Sequence, residues 1–271
     1  MLRALRSHWP EYLCEFTLLA LLLISSGTLA TFLFHPSSPA FALVPNVAWH
    51  RPLMGLGMAL TVAALVFSPI GKRSGAHMNP SVTLAYLRLG KVKPWDAVFY
   101  IAAQFAGAAS GLALLAAVIG APLGHPTVHY VVTRPGVHGQ WVAFAAEFAI
   151  SFIMFATVLW ASNTPHVARW TGLLAAGLVL TYVTFEAPLS GPSMNPARST
   201  ASALVAHLFD GLWIYFTAPV LAMQLAAVLF RRSDRIVYCA KMHHHNDARC
   251  IFNCAFGELA EKERARAAAA R

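Results

Sequence analysis

Two tripeptides hold most of the chemistry this chain can offer: Asn79-Pro80-Ser81 and Asn195-Pro196-Ala197, set in the matching stretches SGAHMNPSVTLA and SGPSMNPARSTA. Asn is a strong helix cap, and Pro suits the first helical position, where its missing N–H is no loss. Each pair therefore opens a helix. The apolar residues that follow are Val82, Leu84, Ala85 and Leu87 before Arg88 in one copy, and Ala197, Ala201, Leu204 and Val205 before His207 in the other. Each run covers about half of the ~20 residues needed to cross a bilayer. A helix start lodged inside a membrane carries unpaired N–H groups and about half a positive charge. Two such starts facing each other repel cations and offer donors to a neutral oxygen, which is the chemistry of a pore. One Asn-Pro pair alone reads as an ordinary capped surface helix. Two copies with matching Ser-Gly and Met flanks, at equivalent places in the chain, do not.

The backbone before each cap, Gly75-Ala76-His77-Met78 and Gly191-Pro192-Ser193-Met194, must be non-helical at membrane depth, which is tolerated only where it is buried or lines a wet cavity. Gly75, Ala76, His77, Gly191, Ser193 and Met194 are accordingly expected along the pore, their carbonyls accepting hydrogen bonds while the Asn79 and Asn195 amides donate them. Arg198 directly follows the second tripeptide. An arginine there costs about 2.5 kcal/mol or more to insert, which marks it as functional. Glu15 and Glu147 are intramembrane acids whose charge has to be offset.

The elements that must position these residues are membrane spans. The chain has 271 residues, 58% hydrophobic and only 11% charged, far below the roughly 25% charged of a soluble domain. Long apolar runs at 13–34, 53–70, 95–120, 140–162, 168–187 and 211–231 predict six spans. The first is too late and too long for a cleaved signal peptide and is expected to remain. Glu15-Phe16 begins one half and Glu147-Phe148 the other, each followed by two spans bracketing an Asn-Pro element. Three spans separate the copies, so the halves enter from opposite sides and form an inverted repeat. The fold class expected is an all-α membrane protein: six transmembrane helices plus two re-entrant half-helices, with residues 1–10 an N-terminal segment, 11–231 the channel domain (repeats at about 11–120 and 140–231) and 232–271 a tail.

Basic residues accumulate on the cytoplasmic side. With both termini inside, the inner segments hold Arg3, Arg6, Lys72, Arg73, Arg88, Lys91, Lys93, Arg169, Arg231 and Arg232, and the outer loops keep Arg51 and Arg134. A multi-pass protein of the cell (inner) membrane follows. The net charge of +9 is thus topological, and no nucleic-acid partner is needed to explain it. Cys14 lies in the first span and Cys239, Cys250 and Cys254 in the tail, where a reducing compartment argues against disulfides. The tail reads as a polar appendage. Its thiols and the run His243-His244-His245 are metal-capable, with Cys239, His243, Cys250 and Cys254 the set a tetrahedral ion would need to draw together, but their spacing matches no standard zinc finger.

Over about residues 11–231 these motifs resemble the major intrinsic protein family, the aquaporins and aquaglyceroporins, with the family's two Asn-Pro-Ala boxes falling on the tripeptides above. Ser81 departs from the family's alanine; being small, it is expected to leave the fold intact. The resemblance implies a passive channel for water and small neutral solutes such as glycerol, urea or metalloid hydroxides, closed to ions and protons, needing no cofactor, and assembled as a homotetramer in the lipid bilayer. It also implies an outer selectivity constriction at Ala59, Val183, Pro192 and Arg198. Glu15 and Glu147 then brace the re-entrant loops, and His77 lines the pore. The small side chains at Ala59 and Val183 suit a wide opening, whereas Ser199, in place of the Asp usual in glycerol channels, and Tyr215-Phe216 suit a water-selective aquaporin.

Two other classes compete. An ion-coupled secondary transporter also uses broken helices, but it needs an unpaired intramembrane acid, and only Glu186 lacks an assigned partner. A membrane enzyme finds His125, His129 and His138 in the outer loops, without an HExxH motif or a nucleophile-base spacing.

Overall fold

The computed structural model describes residues 1–244 and 249–269. Among the described residues six helices are long and apolar enough to cross a membrane: Leu2–Phe34, Val47–Phe67, Pro94–Ile119, Gln140–Ser162, Ala168–Ser190 and Leu212–Arg232. In chain order the main elements are α1 (Leu2–Phe34), α2 (His50–Phe67), the half-helix α3 (Pro80–Arg88), α4 (Pro94–Ile119), α5 (Gln140–Ser162), α6 (beginning as Thr171–Thr181), the half-helix α7 (Pro196–Ala206), α8 (Leu212–Arg232) and a tail helix α9 (Phe256–Ala269). Five spans start and stop near their apolar runs. The first helix begins at Leu2, not near residue 11, so the expected N-terminal segment is helical and carries Pro10 within it. Hydropathy marks the part of a helix that lipid surrounds, whereas a helix of 33 residues is about 50 Å long and outreaches a ~30 Å hydrocarbon core.

α6 continues through a π turn, Tyr182–Glu186, and ends in the turn Ala187–Ser190. A π turn inside a span widens the helix locally and is common at functional sites. The core is built from equivalent pairs: α1 packs on α4 and α5 on α8, while α2 crosses α6. Glycine makes the first of these possible. A Cβ on Gly111 would lie 2.5 Å from the Ala20 carbonyl oxygen, and one on Gly107 would overlap the backbone of Phe16. On α2, a Cβ at Gly55 would come within 2.8 Å of the Leu180 carbonyl oxygen. Small residues thus let backbones touch, as in other lipid-embedded bundles. Gly177 takes no part in this, as a Cβ there would face open space.

The two half-helices pack crosswise, α3 against α8 of the second repeat and α7 against α4 of the first. This exchange ties the repeats together and brings both helix starts to the middle of the bundle.

Candidate functional site

Each re-entrant loop hangs from one buried carboxylate. Glu15 is fully buried, and its Oε1 accepts from the His77 amide at 3.1 Å and the Ser74 hydroxyl at 2.7 Å. Its Oε2 accepts from the Met78 amide at 2.7 Å and from Gln104 Nε2 at 2.8 Å. In the second repeat Glu147, also fully buried, accepts from the Ser193 amide at 2.7 Å, the Met194 amide at 2.8 Å and the Ser190 hydroxyl at 3.1 Å. Two consecutive N–H groups that no helix satisfies are paired in each case, which is what non-helical backbone in a membrane requires.

The backbone itself is bent by left-handed residues. Gly75 and Gly191 sit at φ 93° and 59°, and Met78 and Met194 at φ 48° and 56°. Methionine in that region costs energy, and four buried hydrogen bonds from loop amides to the carboxylates hold it there. A tyrosine anchors the upstream end of each loop: Tyr100 donates to the Ser74 carbonyl at 2.8 Å and Tyr215 to the Ser190 carbonyl at 2.5 Å. These anchors were missed in the sequence, although Tyr100 follows Asn79 by 21 positions and Tyr215 follows Asn195 by 20.

Both asparagines cap their half-helices. Asn79 Oδ1 accepts from the Ser81 amide at 2.8 Å, and Asn195 Oδ1 from the Ala197 and Arg198 amides at 3.1 and 3.3 Å. Their nitrogens cross to the other repeat: Asn79 Nδ2 donates to the Met194 carbonyl and Asn195 Nδ2 to the Met78 carbonyl, both at 2.6 Å. The two helix starts therefore meet, as the repeat predicts. Each amide nitrogen has two protons and spends one on this bond, so each asparagine keeps one N–H. The Ser81 hydroxyl is buried and has no partner among the described residues; it is tolerated because serine is hardly larger than alanine.

The remaining predicted residues lie on several elements. Ala59 is buried on α2, Val183 lies half-buried in the π turn of α6, and Pro192 is half-buried on the second loop. Arg198 is half-buried, its Nη1 enclosed and without a partner among the described residues. Glu186 binds the Ser190 hydroxyl, so it braces the second loop beside Glu147. Ser199 bonds to the Ser193 hydroxyl at 2.6 Å and receives one from Thr133 at 2.8 Å, tying the second loop to the connection between α4 and α5.

His77 differs from its expected surroundings. Its Nε2 pairs with the Ala240 carbonyl at 2.8 Å, and Nδ1 with the Thr83 hydroxyl at 3.0 Å. A carbonyl only accepts, so the proton sits on Nε2. The ring is stacked on Phe252 at 5.3 Å and on Tyr86 at 5.2 Å. The tail is thus no loose appendage. Val237 to Met242 and Ile251-Phe252 are buried, and the Met242 amide donates to the Gly75 carbonyl at 3.1 Å. Charge and polarity in the tail sequence concealed this, because the contacts are largely made by its backbone.

The tail also gathers the metal-capable groups. Cys239, His244, Cys250 and Cys254 place one donor atom each within 4.8 Å of all the others. His244 takes the place expected of His243, whose ring lies edge-on to Phe67 on α2. The third histidine of the run, His245, lies outside the described residues. Hydrogen bonding from Cys239 pulls the Cys250 thiol down to about 4 and the Cys254 thiol down to about 6. Cys239, bonded to both, is pushed up.

Comparison with known proteins agrees with this architecture. Aquaporin NIP2-1 of Oryza sativa subsp. japonica is 41% identical over 164 residues, 60% of this chain and 52% of that protein. Aquaporin NIP6-1 of Arabidopsis thaliana is 34% identical over 209 residues, 76% of this chain and 63% of that protein. The matched region thus spans about half to two thirds of the length of these relatives. The X-ray structure of the aquaglyceroporin from Plasmodium falciparum superimposes with a TM-score of 0.69 at 18% identity, covering 83% of this chain and 96% of that one, and so shares its fold. The family model of the major intrinsic proteins matches residues 3–230, and with two capped half-helices meeting inside six spans, the chain belongs to the major intrinsic protein family.

Proposed function

We propose that the chain is a passive, gradient-driven channel for water and small neutral solutes, closed to ions and protons. One observation carries this reading: the reciprocal bonds from Asn79 to Met194 and from Asn195 to Met78, both 2.6 Å, which leave each asparagine one N–H. Two spare donors at the meeting point of two positive helix ends hold a passing oxygen and deter a cation. A water oxygen that accepts from both donors has its own protons turned outward, so it is poorly placed to relay a proton. Carbonyls of Gly75, Ala76 and His77 on one side and of Gly191, Ser193 and Met194 on the other act as the acceptors of this track.

Arg198, with Ala59, Val183 and Pro192, acts as the outer selectivity constriction. The unpaired Nη1 of Arg198 is a donor for the solute, and its charge adds to the barrier against cations. Small side chains at Ala59 and Val183 leave room for solutes larger than water: glycerol, urea and metalloid hydroxides such as arsenous acid. The protein is a homotetramer with both termini on the cytoplasmic side of the cell membrane, in line with the excess of Lys and Arg there.

Purified, chelator-treated protein in liposomes tests the solute range. Rapid mixing with sucrose, then with glycerol, urea or arsenous acid, should give fast shrinkage in every case and reswelling with at least one small solute. Shrinkage without reswelling in all three would restrict the channel to water, and shrinkage no faster than in empty liposomes would remove the channel reading.

A further inference from the structure

The cysteine-histidine cluster of the tail and the seat of the tail on the first re-entrant loop are parts of one device. Cys239 Sγ lies 3.5 Å from Cys250 Sγ, and Cys254 Sγ lies 3.2 Å from His244 Nε2. Around a tetrahedral zinc, with bonds of about 2.3 Å to sulfur and 2.0–2.1 Å to nitrogen, neighbouring donors are about 3.5–3.8 Å apart. Four donors within 4.8 Å of each other are thus nearly at the separation that an ion would impose. Three thiols and one imidazole are soft and borderline ligands, a set that suits zinc and disfavours magnesium or calcium. A disulfide would use two sulfurs and give no reason for the other thiol and the imidazole to converge on them.

The cluster sits where it can control the loop. Cys239 directly precedes Ala240, whose carbonyl binds His77 Nε2 at 2.8 Å, and lies three positions before Met242, whose amide binds the Gly75 carbonyl at 3.1 Å. Cys250 directly precedes Ile251 and Phe252, and the Phe252 ring lies 9° from parallel with that of His77. One ligand, Cys239, thus lies within the first buried segment and His244 just after it, while Cys250 and Cys254 stand on either side of the second. Further bonds hold the segments to the same face of the bundle. Lys241 Nζ donates to the Lys72 carbonyl at 2.8 Å, the Asn253 amide to the Lys91 carbonyl at 3.0 Å, and the Tyr238 amide to Asn163 Oδ1 at 2.6 Å. With the tail seated, His77 Nε2 is occupied and the Gly75 carbonyl keeps one of its two lone pairs for a solute.

We propose that Cys239, His244, Cys250 and Cys254 bind one zinc ion per chain, and that the ion latches the tail across the cytoplasmic mouth of the pore, so that metal removal opens it. The binding site stands on the cluster alone; the latch rests on the channel reading given above. Zinc ties the two buried segments to each other. Without it, each segment is held by its own hydrogen bonds, ring contacts and apolar packing.

Two measurements on the full chain separate the parts. Cobalt(II), added to metal-free protein in detergent, should bind at one equivalent with the visible absorption of a tetrahedral site and a thiolate charge-transfer band, and zinc should displace it. The exposed position of Cys254 makes Cys254→Ser a mild variant for folding, and it should weaken cobalt binding at least 100-fold. In liposomes, the zinc-loaded protein should pass water slowly, and a chelator or Cys254→Ser should raise the rate at least fivefold. Phe252→Ala, which keeps all four ligands, should raise the rate with zinc still bound. A phosphine reductant without chelator should change nothing. The site is overturned by absence of cobalt binding at one equivalent, and the latch by equal water permeability in zinc-loaded, chelated and Phe252→Ala protein, or by opening with reductant alone. No conduction in any form, with the cobalt spectrum intact, would overturn the channel reading and the latch together and leave a structural metal site.

Discussion

The two re-entrant loops share one scaffold and differ in what covers it. Ser74-Gly75 matches Ser190-Gly191, Met78 matches Met194, Asn79 matches Asn195, and a buried glutamate and a tyrosine hold each loop from behind. The differences lie at the mouth. Position 77 is a histidine paired with the tail, whereas its counterpart Ser193 pairs with Ser199. Three residues past the cap, buried Val82 stands where the second repeat has Arg198. The first loop is covered by the C-terminal tail. The second lies against the connection between α4 and α5, where the Gly136 amide donates to the Leu189 carbonyl at 2.9 Å. Duplication preserved the parts that satisfy buried backbone, and the parts a solute meets were free to diverge.

The shared scaffold is the most sensitive to damage. Glu15→Ala and Glu147→Ala each strand two buried N–H groups, at about 1–3 kcal/mol apiece, besides side-chain donors. Both variants should lose more than about 3 kcal/mol and fall sharply in monodisperse yield from detergent, with Glu15→Ala the worse because Gln104 also loses one of its two hydrogen bonds. Wild-type behaviour of either variant would mean that the loops support themselves.

Next come the divergent positions. Arg198→Ala should raise cation leak through liposomes about tenfold or more while water still passes. Val82→Ala, at the equivalent place in the first repeat, should leave ion exclusion untouched. Equal leak in the two variants would erase the distinction drawn between the loops.

Smaller effects test the symmetry. Tyr100→Phe and Tyr215→Phe each remove one hydrogen bond to an equivalent serine carbonyl, so each should cost about 1 kcal/mol, read as a similar fall in thermal midpoint in detergent. The smallest change is expected of Ser81→Ala. Its hydroxyl is buried without a partner among the described residues, and removing it should stabilise by up to about 1 kcal/mol, with water permeability within twofold of the parent.

Much of this was legible in the residues. The repeated Asn-Pro pair, the six apolar runs and the two glutamates are local signals, because capping and hydrophobic length act on neighbours in sequence. That the two caps face each other followed from the inversion of the repeat, whereas the bonds from Asn79 to the Met194 carbonyl and from Asn195 to the Met78 carbonyl were not legible. The partners of Glu15 beyond the loop, Gln104 and Ser74, were not legible, because nothing in a buried polar residue's type says which of several helices it faces. The seat of the tail was hidden for a different reason. Ala240 and Met242 act through main-chain groups, which every sequence possesses. His244 replaced His243 in the thiol cluster because the fold of the tail, not the spacing along it, decides which ring turns towards the sulfurs.

The central claim is that two opposed helix caps pass neutral molecules and stop protons. Water and proton flux measured in the same chelator-treated liposomes, by light scattering after an osmotic step and by an entrapped pH dye after a pH step, tests it most directly. Water permeability should exceed that of empty liposomes at least tenfold, with proton flux unchanged; proton flux rising in step with water, or no gain in water permeability, would contradict it.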